Sequence, residues 1–260
     1  MGSLAGKSPA NTYKSLLKVA DETNGVTGTI SRVEDGEGTE SSLQLSSSQT
    51  RVKPNNDTTL TFAVKKNNGD SLLVVDSSND LVKVGTSQVS ATTQLLTFNA
   101  YRIVPASAGT HYFVGLPTGE YQSHNVEISN GTGTDPSVSK DAGTTTQYLT
   151  NFIFPVPFNI TIDACKALIS THSDTDSTIN AHLMSFDMVN DGTTNDGNLT
   201  NGTVLADGQA TSVDRSVIKT LDMTIQSSSV TSGKVIACFV ENETDTNYIN
   251  IQVQVKYHIA

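Results

Sequence analysis

The apolar residues of this chain fall into short runs that alternate with polar residues, and turn-forming residues separate the runs. The clearest run is INIQVQVKYHI at 249–259, where every second residue is apolar and the residues between are Asn, Gln, Lys or His. A period of two places the apolar side chains on one face of a β-strand. The pattern therefore predicts a chain built from many short strands.

Composition supports an all-β chain. Hydrophobic residues make up 36% and charged residues 16% of the 260, both below the usual shares for a globular domain. Ser, Thr, Asn and Gly make up the difference; Thr suits strands, and the other three suit turns. Such a composition indicates short strands joined by polar turns, and it is not that of a helical enzyme.

Residues 1–20 hold the only stretch with helical spacing. Tyr13, Leu16 and Leu17 lie at i, i+3 and i+4, which predicts one apolar face of a short amphipathic helix. A helix this short is only marginally stable in isolation. We therefore expect it to pack against its own domain or against a partner protein, and we favour the partner. These three residues are the predicted docking residues.

Charge excludes one class of partner. The net charge is −10, and residues 101–260 hold seven basic and sixteen acidic residues, net −9. An acidic half repels phosphate, so no nucleic-acid binding is expected. No apolar run approaches the roughly 20 residues of a membrane-spanning helix, and the start resembles no signal peptide. We therefore expect synthesis in a cytoplasm and no membrane insertion.

Three apolar runs and two turns fill residues 62–85, FAVKKNNGDSLLVVDSSNDLVKVG, and Asn68-Gly69 is a strong hairpin signal. Three strands of about five or six residues bury too little area to offset an ordering cost of about 1–2 kcal/mol per residue. Because SLLVV is apolar on both faces, we expect cover from other copies in a closed cyclic oligomer; packing on the chain's own C-terminal half is the alternative. The predicted core residues of this stalk are Leu60, Phe62, Val64, Leu72, Leu73, Val74, Val75, Leu81, Val82 and Val84.

Residues 100–260 have the pattern of a larger β domain. About eight runs with strand character recur with Gly, Asn and Ser turns between them, which predicts a β-sandwich of jelly-roll type. Two stretches, 129–147 and 190–208, are rich in Asn, Asp, Gly and Thr and are expected to be long loops. If the domain binds a receptor, these loops are the first candidates.

No catalytic or metal-binding motif is present. The five histidines form no HExxH pattern, and GxSxG, P-loop and GxGxxG motifs are absent. His182, within INAHLMSF, is expected to be a strand histidine with satisfied hydrogen bonds rather than a ligand. We therefore expect no enzyme activity, no metal and no cofactor. Cys165 and Cys238 are either two small buried side chains or one bridge between strands.

The stretch TFAVKKNNGDSLLVVDSSNDLVKVG resembles the shaft repeats of tailed-bacteriophage fibres, which have a strand, an Asn-Gly turn, a strand ending in Val-Asp, a turn and a short strand ending in Gly. Upstream, SPANTYKSLLKV and GVTGTISRVEDGEGTESSLQLS resemble the N-terminal region of fibre-like virion proteins, those of marine phages among them. The resemblance covers about residues 8–90. It implies a homotrimeric virion appendage whose N-terminal part attaches to the particle. Fibres usually show several shaft units, and one is visible here.

Together these observations predict an all-β virion protein with three regions: attachment at 1–55, a short trimeric stalk and linker at 56–99, and a β-sandwich head at 100–260. The expected function is that of a short fibre that presents its head for attachment to a host surface, with contacts to itself, to other virion proteins and to a receptor. A capsid decoration protein is one alternative. A tailspike that cleaves surface polysaccharide is another, although the absence of Trp argues against it.

Overall fold

The computed structural model describes residues 16–21, 23–87, 89–117, 127–141, 143, 146–192 and 196–260. The chain divides into two compact units, Met1–Ala91 and Thr92–Ala260. Strands form nearly all of its regular structure, which confirms the predicted all-β fold class. In the described part of the chain, no helix has the length and apolarity needed to cross a membrane.

The N-terminal unit contains two antiparallel sheets of four strands, and each sheet follows chain order. The strands of the first sheet are β1 (Lys18–Val19), β2 (Ser31–Glu34), β3 (Glu40–Leu45) and β4 (Thr50–Val52). Those of the second are β5 (Phe62–Lys65), β6 (Ser71–Asp76), β7 (Leu81–Val84) and β8 (Val89–Ser90). The β5–β6 turn contains Gly69 with a φ of +92°, a conformation that Gly adopts without strain, as the Asn-Gly pair predicts.

The predicted N-terminal helix does not extend over its described residues. Lys18 and Val19 form β1, whose partners in β2 are Glu34 and Val33, and the Lys18 Nζ lies 3.2 Å from the Glu34 Oε1. The segment with helical spacing is too short to form a stable helix by itself, so strand pairing determines its structure. Leu16 precedes this strand without helical structure, and Tyr13 lies outside the described residues.

The C-terminal unit is one antiparallel sheet of ten strands with a single-turn helix, α1 (Thr146–Leu149). The main order is β10-β17-β13-β14-β15-β12-β18-β9, while β11 pairs with β17 and β16 with β12. The strands are β9 (Thr93–Ile103), β10 (His111–Val114), β11 (Ile153–Pro155), β12 (Ile160–Thr171), β13 (Ser177–Met188), β14 (Leu199–Val213), β15 (Lys219–Ile225), β16 (Ser229–Val230), β17 (Val235–Asn242) and β18 (Ile249–Ile259). Strand β9 spans the expected boundary at 99/100.

The sheet folds over on itself and closes into a flattened barrel. Strands β14 and β15 share only two residue pairs, so the sheet bends between them. At the other end of the order, the Asn99 N–H of β9 donates to the Gly115 carbonyl 2.8 Å away, just after β10. The two layers are hereafter sheet A (β10, β17, β13, β14) and sheet B (β15, β12, β18, β9). This arrangement agrees with the predicted β-sandwich of jelly-roll type.

Two apolar cores lie on opposite faces of sheet A. The main core fills the space between the sheets and contains Phe98 of β9, Leu183 of β13 and Val253 of β18. The second core lies on the outer face of sheet A, where Phe113, Phe186 and Phe239 pack against Ile128 and Leu149 of the 127–152 segment, among others. Because both faces of β17 are covered, all eight of its residues are buried.

Both cysteines lie in the main core as free, buried thiols. The Cys165 Sγ–H donates to the Met223 Sδ 3.3 Å away, and burial raises the pKa of the Cys165 thiol to about 12. Of the two readings that the sequence allows, the structure therefore has the small buried side chains, and no bridge joins the strands.

The two predicted loops differ from expectation. The 190–208 prediction is wrong from Leu199 onward, because those residues form β14, which pairs with β13 through three irregularities in register. At Gly202 the β14 backbone lies close to the backbone of Val138, and the Gly202 N–H donates to the Val138 carbonyl 2.8 Å away. A side chain at position 202 would clash with Phe186 and Val138. The described part of 129–147 is packed on sheet A, where Asn130 is buried.

Candidate functional site

Strand register gives the β5–β8 sheet one face made entirely of apolar side chains. Phe62, Val75 and Val82 are direct cross-strand partners, and Val64, Leu73 and Val84 form the next row. Residues directly opposite each other point to the same side of a sheet. Val89 extends the second row through its pairing with Val84. The apolar face is hereafter these seven residues: Phe62, Val64, Leu73, Val75, Val82, Val84 and Val89.

All seven residues of the apolar face keep part of their surface exposed in the described part of the chain. Phe62, Val64, Val82 and Val84 keep 41–43% of their surface exposed, far from the full burial of residues in the second unit's cores. Isolated apolar residues at a surface are ordinary, but a continuous apolar face indicates an interaction surface.

The opposite face of this sheet is more polar and is internally bonded. Asp76 is buried, and its Oδ2 accepts a hydrogen bond from the Lys83 Nζ 2.7 Å away, while the Asn79 N–H donates to its Oδ1. The Lys83 hydrogen bond, followed by that of Asn79, lowers the pKa of the Asp76 carboxyl. Val74 is the buried apolar residue on this side. The ion pair thus satisfies the charged side chains of this face, on which Leu72 remains 43% exposed.

The ten predicted stalk residues therefore divide between the two faces. Phe62, Val64, Leu73, Val75, Val82 and Val84 lie on the apolar face, whereas Leu72, Val74 and Leu81 lie opposite and Leu60 precedes β5. Their role as a trimer core remains a prediction. Of the predicted docking residues, Leu16 and Leu17 are exposed.

A second feature is a buried polar cluster on the outer face of sheet A, beside the second core. His111 of β10 pairs directly with Glu241 of β17, and His182 of β13 pairs with Phe239, two residues from Glu241 on the same face. Three adjacent strands thus bring His111, His182 and Glu241 together. Their exposed fractions are 0%, 5% and 4%, and one ligand atom of each lies within 4.8 Å of those of the other two.

The histidine rings of this cluster have no hydrogen-bond partners in the described part of the chain. The His111 Nε2 lies 3.1 Å from the Glu241 Oε2, but without the alignment that a hydrogen bond requires. All four ring nitrogens of His111 and His182 are buried and unpartnered, so the expectation of a satisfied strand histidine at 182 is wrong. Burial lowers the pKa of His111, and burial followed by the nearby His111 lowers that of His182 to about 4.

Two acidic side chains approach the cluster from the solvent side. Asp135 and Asp207 form with His182 a second set of closely spaced ligand atoms, and the His182 Nδ1 lies 3.6 Å from the Asp135 Oδ1. The sequence alone does not indicate this cluster, because His111, His182 and Glu241 are 71 and 59 residues apart along the chain and only strand pairing brings them together. The available signal was the presence of ionisable residues inside the apolar runs HYFVGL, INAHLMSF and GKVIACFVEN.

Comparison with known proteins gives no family assignment. No protein-family model matches the chain, and no curated protein matches it. Among matching solved structures is a chain from the structure of infectious bursal disease virus Gx strain, with 10% sequence identity and a TM-score of 0.26. The match covers 74% of this chain and 64% of that chain. At this TM-score the similarity supports no argument about function.

Proposed function

We propose that this protein is a structural component of a tailed-bacteriophage virion, a short homotrimeric fibre that presents its β-sandwich for attachment to a host surface. The observation that carries the proposal is the apolar face of the β5–β8 sheet. Seven apolar side chains share this face, and the single chain leaves it uncovered within its own sheet. Identical faces on three copies cover one another around a symmetry axis.

Burial energy favours such an assembly. Burying a fully exposed Val, Leu or Phe side chain contributes about 1.5–3 kcal/mol. Side chains with 41–43% exposure, as at Phe62, Val64, Val82 and Val84, would therefore gain roughly 1 kcal/mol each when a partner covers them. The gain is repeated on every copy, and it offsets part of the entropy cost of association.

The number of copies and the place of assembly rest on the resemblance to phage shaft repeats within residues 8–90. In this proposal, residues 1–55 attach the trimer to the particle, and the three heads act together at the host surface. Weak single contacts then add up to stable attachment, because the first contact raises the effective concentration of the other two heads.

One observation favours a capsid decoration protein as a second candidate. The segments first expected to be receptor-binding loops are only partly loops, since 129–141 packs on sheet A and 199–208 belongs to β14, which leaves 190–192 and 196–198 in the connection between β13 and β14. A decoration protein presents packed surfaces to its neighbours and needs no projecting loop. Antibody labelling of intact particles separates the two candidates: signal on the tail supports the fibre, and signal over the head shell supports decoration.

The mass of the purified chain in solution, measured by light scattering, tests the assembly. We expect about 83 kDa, three times the chain mass of 27.6 kDa. The double variant Val82→Lys and Val84→Lys should lower the mass to that of one chain, because it places charges on the apolar face. A matched control carries Leu95→Lys and Ile218→Lys, which add the same charge at exposed apolar positions of the second unit and should leave the mass unchanged. A single-chain mass for the unmodified protein, or an unchanged mass for the first variant, would contradict the proposal.

A further inference from the structure

The buried cluster on sheet A has the dimensions of a metal-binding site. In tetrahedral zinc sites, bonds of about 2.0–2.1 Å place neighbouring ligand atoms about 3.3–3.4 Å apart. The His111 Nε2 and the Glu241 Oε2 are 3.1 Å apart, and the ligand atoms of His111, His182 and Glu241 all lie within 4.8 Å of one another. Side-chain adjustments that change the separations of these ligand atoms by up to about 1.5 Å would complete the geometry.

Hydrogen bonding gives an independent reason to expect a ligand here. Leaving a buried polar group without a partner costs about 1–3 kcal/mol, and such groups are rare in native proteins. The cluster buries two imidazole rings whose four nitrogens have no partner among the described residues. A metal ion would accept one lone pair from each ring and so satisfy one nitrogen of each.

Charge points to a cation. Within the described residues, no Lys or Arg forms an ion pair with the Glu241 carboxylate, which is 4% exposed. A buried carboxylate without a basic partner is stabilised by a bound cation, and imidazole nitrogens that lack a hydrogen-bond partner are free to bind one.

Supporting contacts hold the cluster in place. The Asn180 Nδ2–H donates to the Glu241 Oε2 3.0 Å away, and the Asn180 Oδ1 accepts a hydrogen bond from the Gln209 Nε2. On the main chain, the His111 N–H donates to the Gly131 carbonyl, and the Asn130 N–H donates to the His111 carbonyl. Such outer contacts orient the ligands of known metal sites.

We propose that His111, His182 and Glu241 together bind one divalent transition-metal ion, of the class represented by zinc. Two imidazoles and one carboxylate suit zinc and its neighbours, whereas calcium and magnesium prefer all-oxygen sites. The ion links β10, β17 and β13, so its role is to stabilise the second unit by joining three adjacent strands. The proposal is independent of the trimer and of any place on a virion.

Titration of the full-length protein with zinc, after removal of metal by a chelator, tests the site. We expect one zinc ion per chain by calorimetry and a zinc-dependent rise in the unfolding temperature. The variant Glu241→Gln should weaken zinc binding by more than the roughly 10–100-fold typical of losing an outer contact. The matched control Asp207→Asn, a member of the second ligand set, should keep both stoichiometry and affinity.

Two results would overturn the proposal. One is a wild-type protein that binds no zinc and shows no zinc-dependent rise in unfolding temperature. The other is a loss of binding in Asp207→Asn with none in Glu241→Gln, which would assign the ion to Asp135, His182 and Asp207 instead. If Glu241→Gln fails to fold, the variant His111→Gln replaces it, with His172→Gln, at a histidine outside the cluster, as its control.

Discussion

The two units are built from similar strands, yet they bury very different shares of their side chains. In the described part of Met1–Ala91, the buried residues are Val33, Val74 and Asp76, and one of these is charged. In Thr92–Ala260, the strand β17 alone has eight buried residues, and two apolar cores cover both of its faces. Strand content is therefore a poor guide to where a chain obtains its stability.

The difference follows from the number of layers. The β5–β8 sheet leaves its apolar face exposed, whereas sheets A and B cover each other, and Ile128 and Leu149 pack on the outer face of sheet A. Hydrophobic burial is the dominant favourable contribution to folding, so the second unit has its own source of stability. The β5–β8 sheet leaves its apolar face for another surface to cover.

The largest expected effect comes from separating the units. A fragment of residues 92–260 should unfold in one cooperative transition whose midpoint is independent of protein concentration, because its cores lie within one chain. A fragment of residues 1–91 should have a midpoint that rises with concentration, because its stability depends on association. Chemical denaturation followed by circular dichroism over a wide concentration range measures both. A concentration-independent midpoint for residues 1–91 would show that the first unit, like the second, is stable without association.

A smaller effect is expected from crowding the second unit at one glycine. A Cβ at Gly202 would lie 2.7 Å from the Phe186 Cε1 and 2.8 Å from the Val138 Cα, so Gly202→Ala should lower the free energy of unfolding by about 1–3 kcal/mol. Gly208→Ala is the matched control in the same strand. Its Cβ would lie 3.2 Å from the Cγ and both Cδ atoms of the Leu221 side chain, which can move, and these are its nearest neighbours. Equal losses in the free energy of unfolding of the two variants would show that Phe186 and Val138 do not pack against Gly202 as tightly as the distances indicate.

The smallest effect concerns acid and the first unit. The pKa of Asp76 in the folded state lies below the ordinary value of 3.8, chiefly because of the Lys83 hydrogen bond. The unfolded chain therefore takes up this proton at a higher pH, and the stabilisation, complete above pH 3.8, is lost as the pH falls through the folded-state pKa. Methyl NMR of the apolar-face valines, from above pH 3.8 to well below it, should show the loss. In Asp76→Asn this pH-dependent step should be absent, and its persistence there would assign it to other carboxyl groups.

Local sequence pattern predicted the strands that alternate cleanly. The alternation at 249–259 corresponds to β18, and the run 62–85 corresponds to β5, β6 and β7. The apolar face was accessible in the same way, because the side chains of Phe62 and Val64 must share one side of a strand. The helical spacing at Leu16 and Leu17 was a weaker pattern, and strand pairing at Lys18 overrode it.

Long-range packing decided what the pattern missed. Strand β14 contains Asn, Gly and Thr at positions that suggest turns, and it is a strand because β13 pairs with it and Val138 covers Gly202. The polar cluster is a stronger case, since nothing near His111 in the sequence identifies Glu241 as its cross-strand partner. Such pairings depend on strand order, which local composition does not encode.

Local sequence pattern is enough to specify an all-β chain, because a period of two and frequent turn residues act over a few positions. The same alternation is enough to specify the apolar face of the β5–β8 sheet, because it assigns side chains to faces without knowledge of the partner strand. The order of the strands, and therefore the meeting of His111, His182 and Glu241, is not specified by local pattern and becomes visible in the folded sheet. Proximity between residues so far apart in the chain arises from the packing of the whole sheet, where each pairing is stabilised by all the others.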